Sequence, residues 1–189
     1  MEATERRKLK AEAKREAILR SAARAFSRRG YHGTSMDDIS EQLLMTKGSL
    51  YYYFKDKEEI LFACHDYSLN LVLENLDQVK KLEAAPDQKL AALIAAHIEV
   101  MLDALQGSAM ALDFTALSPE PLAKVIAKRD RFEKGMRTLI EQGMREGIFR
   151  RTDAKLAVFM ILGSINWIAK WYREGGSYDA AAIARTYAD

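Results

Sequence analysis

Cysteine is almost missing from this sequence: Cys64 stands alone among 189 residues. A single thiol excludes an internal disulfide and suits a reducing cytoplasm. Proline and glycine are scarce too, at three and ten, while Ala, Leu, Glu, Lys and Arg abound. So few breakers among so many helix formers point to a helical chain. No apolar run reaches the roughly 18 residues needed to cross a bilayer, so no membrane partner is expected. The opening segment MEATERRKLKAEAKRE has no apolar stretch of the kind found in secretory signals. His32, His65 and His97 lack metal-ligand spacing with Cys64 or with carboxylates, so no metal is expected. No G-x-S-x-G elbow, Walker loop or dinucleotide fingerprint is present, and no cofactor is implied. Cys64 and His65 are sequence neighbours, which a helix would point about 100° apart, so they do not read as a catalytic pair. These absences argue against an enzyme.

What is present begins with core material: 49% of the residues are hydrophobic, enough for one compact domain or two small ones. The net charge of +2 conceals an uneven distribution. Residues 1–35 carry ten Lys/Arg against four Asp/Glu, a balance of +6, which leaves −4 for the rest. A basic arm on a near-neutral body fits either an anionic partner or a solvated helix face with a basic excess.

Periodicity predicts about nine helices and no strand, an all-α fold. Ile18, Ala22, Ala25 and Phe26 make the stripe of a first helix that Gly30 ends. Ser35 and Asp38 form a capping pair before a short helix from Met36 to Leu43, and Thr46 opens another that runs to Phe54. Asp56 with Glu59 caps a long helix reaching about Leu82. Further helices are expected from Pro86 to Gln106, Ala109 to Leu117, Pro119 to Glu146, Asp153 to Arg173, and from Asp179 onward. Residues 1–56 are read as one domain and 57–189 as a second.

Chemistry concentrates in one stretch, MTKGSLYYYFKDKEEIL, from Met45 to Leu61. Two short helices separated by about three residues make a helix-turn-helix candidate. With Leu50 and Phe54 turned inward, Gly48 and Tyr52 lie opposite, and Ser49, Tyr51 and Tyr53 flank them. Lys47 sits at the exposed start. Such a helix enters a major groove with its N-terminal residues nearest the bases. Gly48 permits close backbone approach, and Lys47 is a donor suited to guanine O6/N7. Ser49, Tyr51, Tyr52 and Tyr53 are hydroxyl donors for phosphate, with Lys55 and Lys57 adding charge.

The words ILRSAARAFSRRGYHGTSMDDIS and TKGSLYYYFKDKEEIL resemble the DNA-binding domain of the TetR family of bacterial transcriptional regulators. That resemblance implies a homodimer, a double-stranded DNA operator with two half-sites, and a C-terminal domain for effector binding and dimerisation. It places phosphate and base contacts on Ser35, Thr46, Lys47, Gly48, Ser49, Tyr51, Tyr52, Tyr53 and Lys57. Leu44 stands where the family commonly has glycine, and Ser40 replaces a common alanine. A leucine in left-handed conformation costs about 1–2 kcal/mol, unless the turn takes another shape. The segment GSINWIAKWYREGGSYDAAAIA is similar to the end of a subgroup that senses acyl-coenzyme A thioesters. The expected function is a repressor released by a small hydrophobic effector of that kind, with a helical ligand carrier as the alternative.

In the body, the helix from Asp153 is apolar nearly all round and is expected to be covered on several sides. A partner subunit would do this, with Trp167, Ile168, Trp171, Tyr172 and Ile183 at the seam; a central core helix of a monomer would also fit. His97, Asp113 and Asn166 are polar interruptions of apolar stretches, either satisfied core groups or cavity markers. Phe62, His97, Met101, Phe114, Phe132, Met136, Phe159, Gly163, Asn166 and Trp167 are candidates to line an effector pocket, and Met110, Met144 and Met160 share their apolar character. Arg129, Arg131, Arg145, Arg150 and Lys170 are candidates to meet effector phosphates.

Overall fold

The computed structural model describes residues 2–103, 112–173 and 175–188. Within them every regular element is helical: α1 (Glu2–Arg29), α2 (Met36–Gln42), α3 (Lys47–Tyr53), α4 (Lys57–Lys81), α5 (Pro86–Leu102), a 3-10 turn at Phe114–Ala116, α6 (Pro119–Arg145), α7 (Ala154–Trp171) and α8 (Ala180–Ala188). Eight α-helices among the described residues stand against about nine expected. The expected stop at Gln106–Gly107, Met110 and the first three residues of the Ala109–Leu117 piece lie outside the described residues, and the rest of that piece holds only the 3-10 turn.

The caps explain why the short helices start where they do. The Ser35 hydroxyl accepts from the Asp38 amide at 3.1 Å, and the Asp38 carboxylate accepts from the Ser35 amide at 2.7 Å. Thr46 accepts from the Ser49 amide at 3.2 Å, and Asp56 from the Glu59 amide at 2.7 Å. Gly30, at φ 74, donates to the Phe26 carbonyl and ends α1. Leu44 adopts φ 50, so the turn keeps its left-handed shape and leucine bears the strain of a position suited to glycine.

Two apolar clusters hold the chain together. One joins Ile18, Ala22 and Phe26 of α1 to Ile39 of α2, Leu50 of α3, Phe54, and Ile60, Leu61 and Cys64 of α4. It continues into Leu117 and into Val125 of α6. The other gathers Leu76 of α4, Leu93 and Ile98 of α5, Met136 of α6, Ile165 and Ile168 of α7, and Ile183 of α8. Each leucine, isoleucine, valine, phenylalanine or methionine among them contributes about 1.5–3 kcal/mol on burial. Helices α4 and α6 meet at Gly135, where a methyl group would lie 2.4 Å from a Leu76 methyl, so the crossing requires glycine. Helix α4 therefore serves both clusters. A second tie runs from the start of α4 to the start of α6: the Glu58 carboxylate accepts the Ser118 amide at 2.6 Å.

The expectation that α7 would be covered on several sides is not met within the single chain. Ala154, Val158, Ile165 and Ile168 are buried, but Met160 and Trp167 are 75% and 65% exposed, and Leu156, Phe159 and Trp171 are exposed too. One face of α7 packs on the body, and its other face is an open apolar strip.

His65 and His97 are buried, and burial pushes both imidazoles down to about 4. The positive charge of Arg129 acts the same way on each, and Asp113 opposes it at His65. Both rings are neutral at pH 7, whereas in the unfolded chain histidine titrates near 6.5. Between those values the unfolded chain binds more protons, so stability is full above about pH 6.5 and falls as pH drops toward about 4. Each histidine contributes up to about 1.4 kcal/mol per pH unit in that window. Thermal melts taken from about pH 7 to pH 4.5 should show this loss, and His97→Phe should flatten it by about half.

Candidate nucleic-acid interface and ligand cleft

Helix α3 is held from one side only. Leu50 and the following Phe54 are fully buried, as the four-residue spacing predicts. Opposite them Gly48, Ser49, Tyr51 and Tyr52 are exposed, Tyr52 to 81%. Tyr53 is half-buried, and its ring meets that of Tyr52 edge-on with centroids 5.2 Å apart. The outward face thus runs from a bare backbone at Gly48, where an added methyl would meet nothing within 4 Å, to aromatic hydroxyls.

The remaining candidates sit around this face, several with internal partners. Ser35 and Thr46 are exposed at the caps of α2 and α3, and the Thr46 hydroxyl donates to Ser49 Oγ at 3.0 Å. Two Ser35 hydrogen bonds hold the Asp38 carboxyl below its usual range. Lys47 pairs with Asp37 across α2 and α3, Nζ to Oδ1 2.8 Å, and that hydrogen bond raises the lysine above its ordinary value. Both partners are more than half exposed, so water and salt weaken the pair, and a phosphate or a base edge can displace it. Lys55 is exposed, with its amide donating to Glu59 at 2.7 Å. Lys57 donates to the carbonyls of Tyr31 and Thr34, each at 2.7 Å, and lies 4.3 Å from the Tyr31 ring centroid. An ammonium carries three donors, so Lys57 fixes the α1–α2 connector and keeps one N–H to spend. Sequence reasoning missed both lysine partnerships. Asp37 lies in the first turn of α2 with nothing in the sequence to single it out, and the carbonyls around Lys57 leave no mark in a sequence.

The effector candidates do not gather in one place. His97, Met101, Phe132 and Met136 fill the body core, the His97 ring 4.9 Å from that of Phe132. Phe62 and Phe114 are half-buried against the other cluster. Phe159, Gly163 and Asn166 line an open cleft of about 640 Å³ between α6 and α7, with Arg129. Trp167 lies exposed on α7. Of the seam candidates, Trp167 and Trp171 are exposed and Tyr172 is half-buried, while Ile168 and Ile183 fill the chain's own core. Isoleucine and tryptophan carry the same apolar signal, and only the packing of α7 separates them. Cys64 is buried and its burial pushes the thiol up to about 12, an unreactive state.

Among the described helices, three short or capped N-terminal ones leave the outer face of α3 exposed, and long helices follow. The family description "Bacterial regulatory proteins, tetR family" matches residues 18–64, and "Tetracyclin repressor-like, C-terminal domain" matches residues 83–189. The chain belongs to the TetR family. Among its relatives is the HTH-type transcriptional repressor KstR2 of Rhodococcus jostii, 31% identical over 186 residues, covering 92% of this chain and 87% of that protein. The crystal structure of the TetR family regulator PfmR from Thermus thermophilus superposes with a TM-score of 0.82 at 32% identity, over 90% of this chain and 94% of that one. AibR in complex with isovaleryl coenzyme A and operator DNA superposes with a TM-score of 0.82 at 30% identity, over 92% and 96%. This TetR protein is a transcriptional repressor by type, from a family of DNA-binding regulators rather than enzymes. Among the described residues, no helix is long and apolar enough to cross a membrane.

Gly48→Ala separates folding from recognition. The methyl meets no neighbour, and alanine favours a helix over glycine by up to about 1 kcal/mol, so the melting temperature should hold or rise. Affinity for operator DNA should fall about tenfold or more, because the methyl stands on the outward face of α3. Thermal denaturation and gel shift on one preparation read both effects.

Proposed function

We propose that this protein is a homodimeric repressor that reads a two-half-site operator with α3 and is released by a small hydrophobic effector, an acyl-coenzyme A thioester or a related compound. The observation that carries the reading is the one-sided packing of α3, with Leu50 and Phe54 buried beneath it and Gly48 to Tyr52 facing out. In this reading residues 1–56 form the reading head and residues 57–189 the effector and dimer body. Lys47 exchanges Asp37 for a base edge, with Gly48 admitting close approach. Ser35, Thr46, Ser49, Tyr51, Tyr52, Tyr53, Lys55 and the spare donor of Lys57 hold phosphates. The protein works by binding, not catalysis, in the bacterial cytoplasm.

The dimer is supported by the apolar strip on α7. Leu156, Phe159, Met160, Trp167 and Trp171 form the kind of exposed surface that a soluble chain covers with a partner, and two-fold pairing is the commonest solution. A two-fold dimer sets two α3 helices about one DNA turn apart, roughly 34 Å. An effector that changes this spacing weakens operator binding, and by linkage the operator weakens effector binding equally. The isovaleryl coenzyme A bound by AibR, a structure 30% identical to this chain, supports the effector class.

Gel shifts against the DNA upstream of the protein's own gene, over a salt series, should show sequence preference and affinity that falls steeply with salt. Lys47→Ala should cost about 1–3 kcal/mol at one base pair and relax the preference there. An equal loss on scrambled DNA would remove Lys47 from base reading, and salt-independent binding without preference would sink the operator role. Met160→Asp should turn a sedimenting dimer into monomers while the helical signal stays unchanged.

A further inference from the structure

Of the seven cations of α6, four have acid partners, and of the other three Lys134 and Arg145 are exposed to water. Lys124 pairs with Glu120, Lys128 with Asp66, Arg131 with Asp77 and Arg137 with Glu133. Arg129 is half-buried, and burial holds its guanidinium below its ordinary value. Among the described residues that guanidinium makes no ion pair and no hydrogen bond; it lies over the Phe114 ring, 4.6 Å from its centroid. A cation withdrawn from water without an anion is costly, and a guanidinium offers five donors in a fixed fork.

Two further polar groups close to Arg129 are also unsatisfied. Both ring nitrogens of His65 and Nδ1 of His97 are buried without a hydrogen-bond partner. His65 meets the Phe114 ring edge-on at 6.0 Å, and the Arg129 charge acts on both imidazoles. Buried donors and acceptors are nearly always paired in folded proteins, so three such atoms around one unpaired cation mark a place built for something else. Arg129 also lines the open cleft between α6 and α7, so its guanidinium is within reach of a molecule seated there, although the two histidines are not part of that lining. A neutral imidazole brings one N–H, Arg129 brings two parallel ones, and the nearby walls at Phe114 and Phe132 are apolar.

We propose that Arg129 receives a carboxylate or phosphate group of an apolar ligand that enters through the α6–α7 cleft, with His65 and His97 supplying further donors on its inner side. This deepens the effector reading given above and rests on it. The anionic oxygens would come from the acid itself or from the coenzyme's phosphates, and the two sources separate by experiment.

Calorimetric titrations of the intact protein with octanoate, octanoyl-coenzyme A and coenzyme A provide the test. Wild type should bind octanoyl-coenzyme A; octanoate binding as well assigns the site to the carboxylate, and coenzyme A binding as well assigns it to phosphate. Arg129→Gln should weaken whichever probes bind by about tenfold or more, with an unchanged circular dichroism spectrum. Arg129→Lys keeps the charge and the ring contact but not the fork, so it should fall between the two. The proposal is overturned if wild type binds none of the three, or if both Arg129 variants bind as wild type does. Gel shift without ligand keeps the two readings apart: loss of operator preference in wild type sinks the repressor reading alone, and weakened probe binding in variants that still hold the operator is the expected pattern.

Discussion

One helix belongs to two cores. The start of α4 contributes Ile60, Leu61 and Cys64 to the cluster that carries the reading helix, and its later turns contribute Leu76 and Val79 to the body. Twenty-five residues make a rod of about 37 Å, at about 1.5 Å per residue. A packed rod does not bend to suit both ends; it tilts as a unit. A tilt of about 5° moves its far end by about 3 Å over that length. The Gly135–Leu76 crossing fixes where α6 presses on the rod, and the Glu58–Ser118 hydrogen bond ties their starts together. The head is therefore not an independent bead: its position answers to α6.

The reading face forgoes local stability at several points. Leu44 holds a left-handed turn without glycine's freedom and leaves its side chain 97% exposed. Gly48 occupies a helix where alanine would fit, and Lys47 holds Asp37 in a pair that solvent weakens. None of these choices suits a chain selected for stability alone, and under the proposed function a face kept bare and polar for an anionic partner would account for Gly48 and Lys47. Strain of this kind persists where surrounding structure over-determines it, and here Leu50 and Phe54 supply that anchorage from beneath.

Much of this was legible in the sequence because local rules decide it. Ser35, Thr46 and Asp56 cap their helices as their spacing predicts, and the i, i+4 placement of Leu50 and Phe54 orients α3. The leucine-for-glycine departure at Leu44 leaves a strained turn and a turn of another shape both open in the sequence, and φ 50 decides for the first. What escaped depends on long-range packing. Ile168 and Trp167 are neighbours of equal apolarity, yet one is sealed in the core and the other faces out, which follows only from how α7 lies on its neighbours. Arg129 was one of five cations with nothing to rank them. Its isolation shows only when Lys124, Lys128, Arg131 and Arg137 find their acids across or along α6. His65 was set aside because it lacked a partner in sequence; in space, that lack of a partner is its distinguishing property.

The unsatisfied groups lie where residues of the two cores come together. Phe114, against which Arg129 and His65 both lie, packs on the cluster that carries α3, and His65 follows Cys64 of that same cluster on α4. His97 and Phe132 belong to the body cluster. A group bound between them contacts both cores at once, so its presence cannot leave the angle between them indifferent unless it fits both arrangements equally well. An anion that engages the half-buried Arg129 shifts the balance only by the difference between its fit to the two arrangements, and a difference of about 1–3 kcal/mol is the usual size of such coupling. In the proposed dimer, a ligand at this junction that fits one tilt of α4 better than another selects that tilt, and the tilt is what two reading helices on one DNA duplex would have to share.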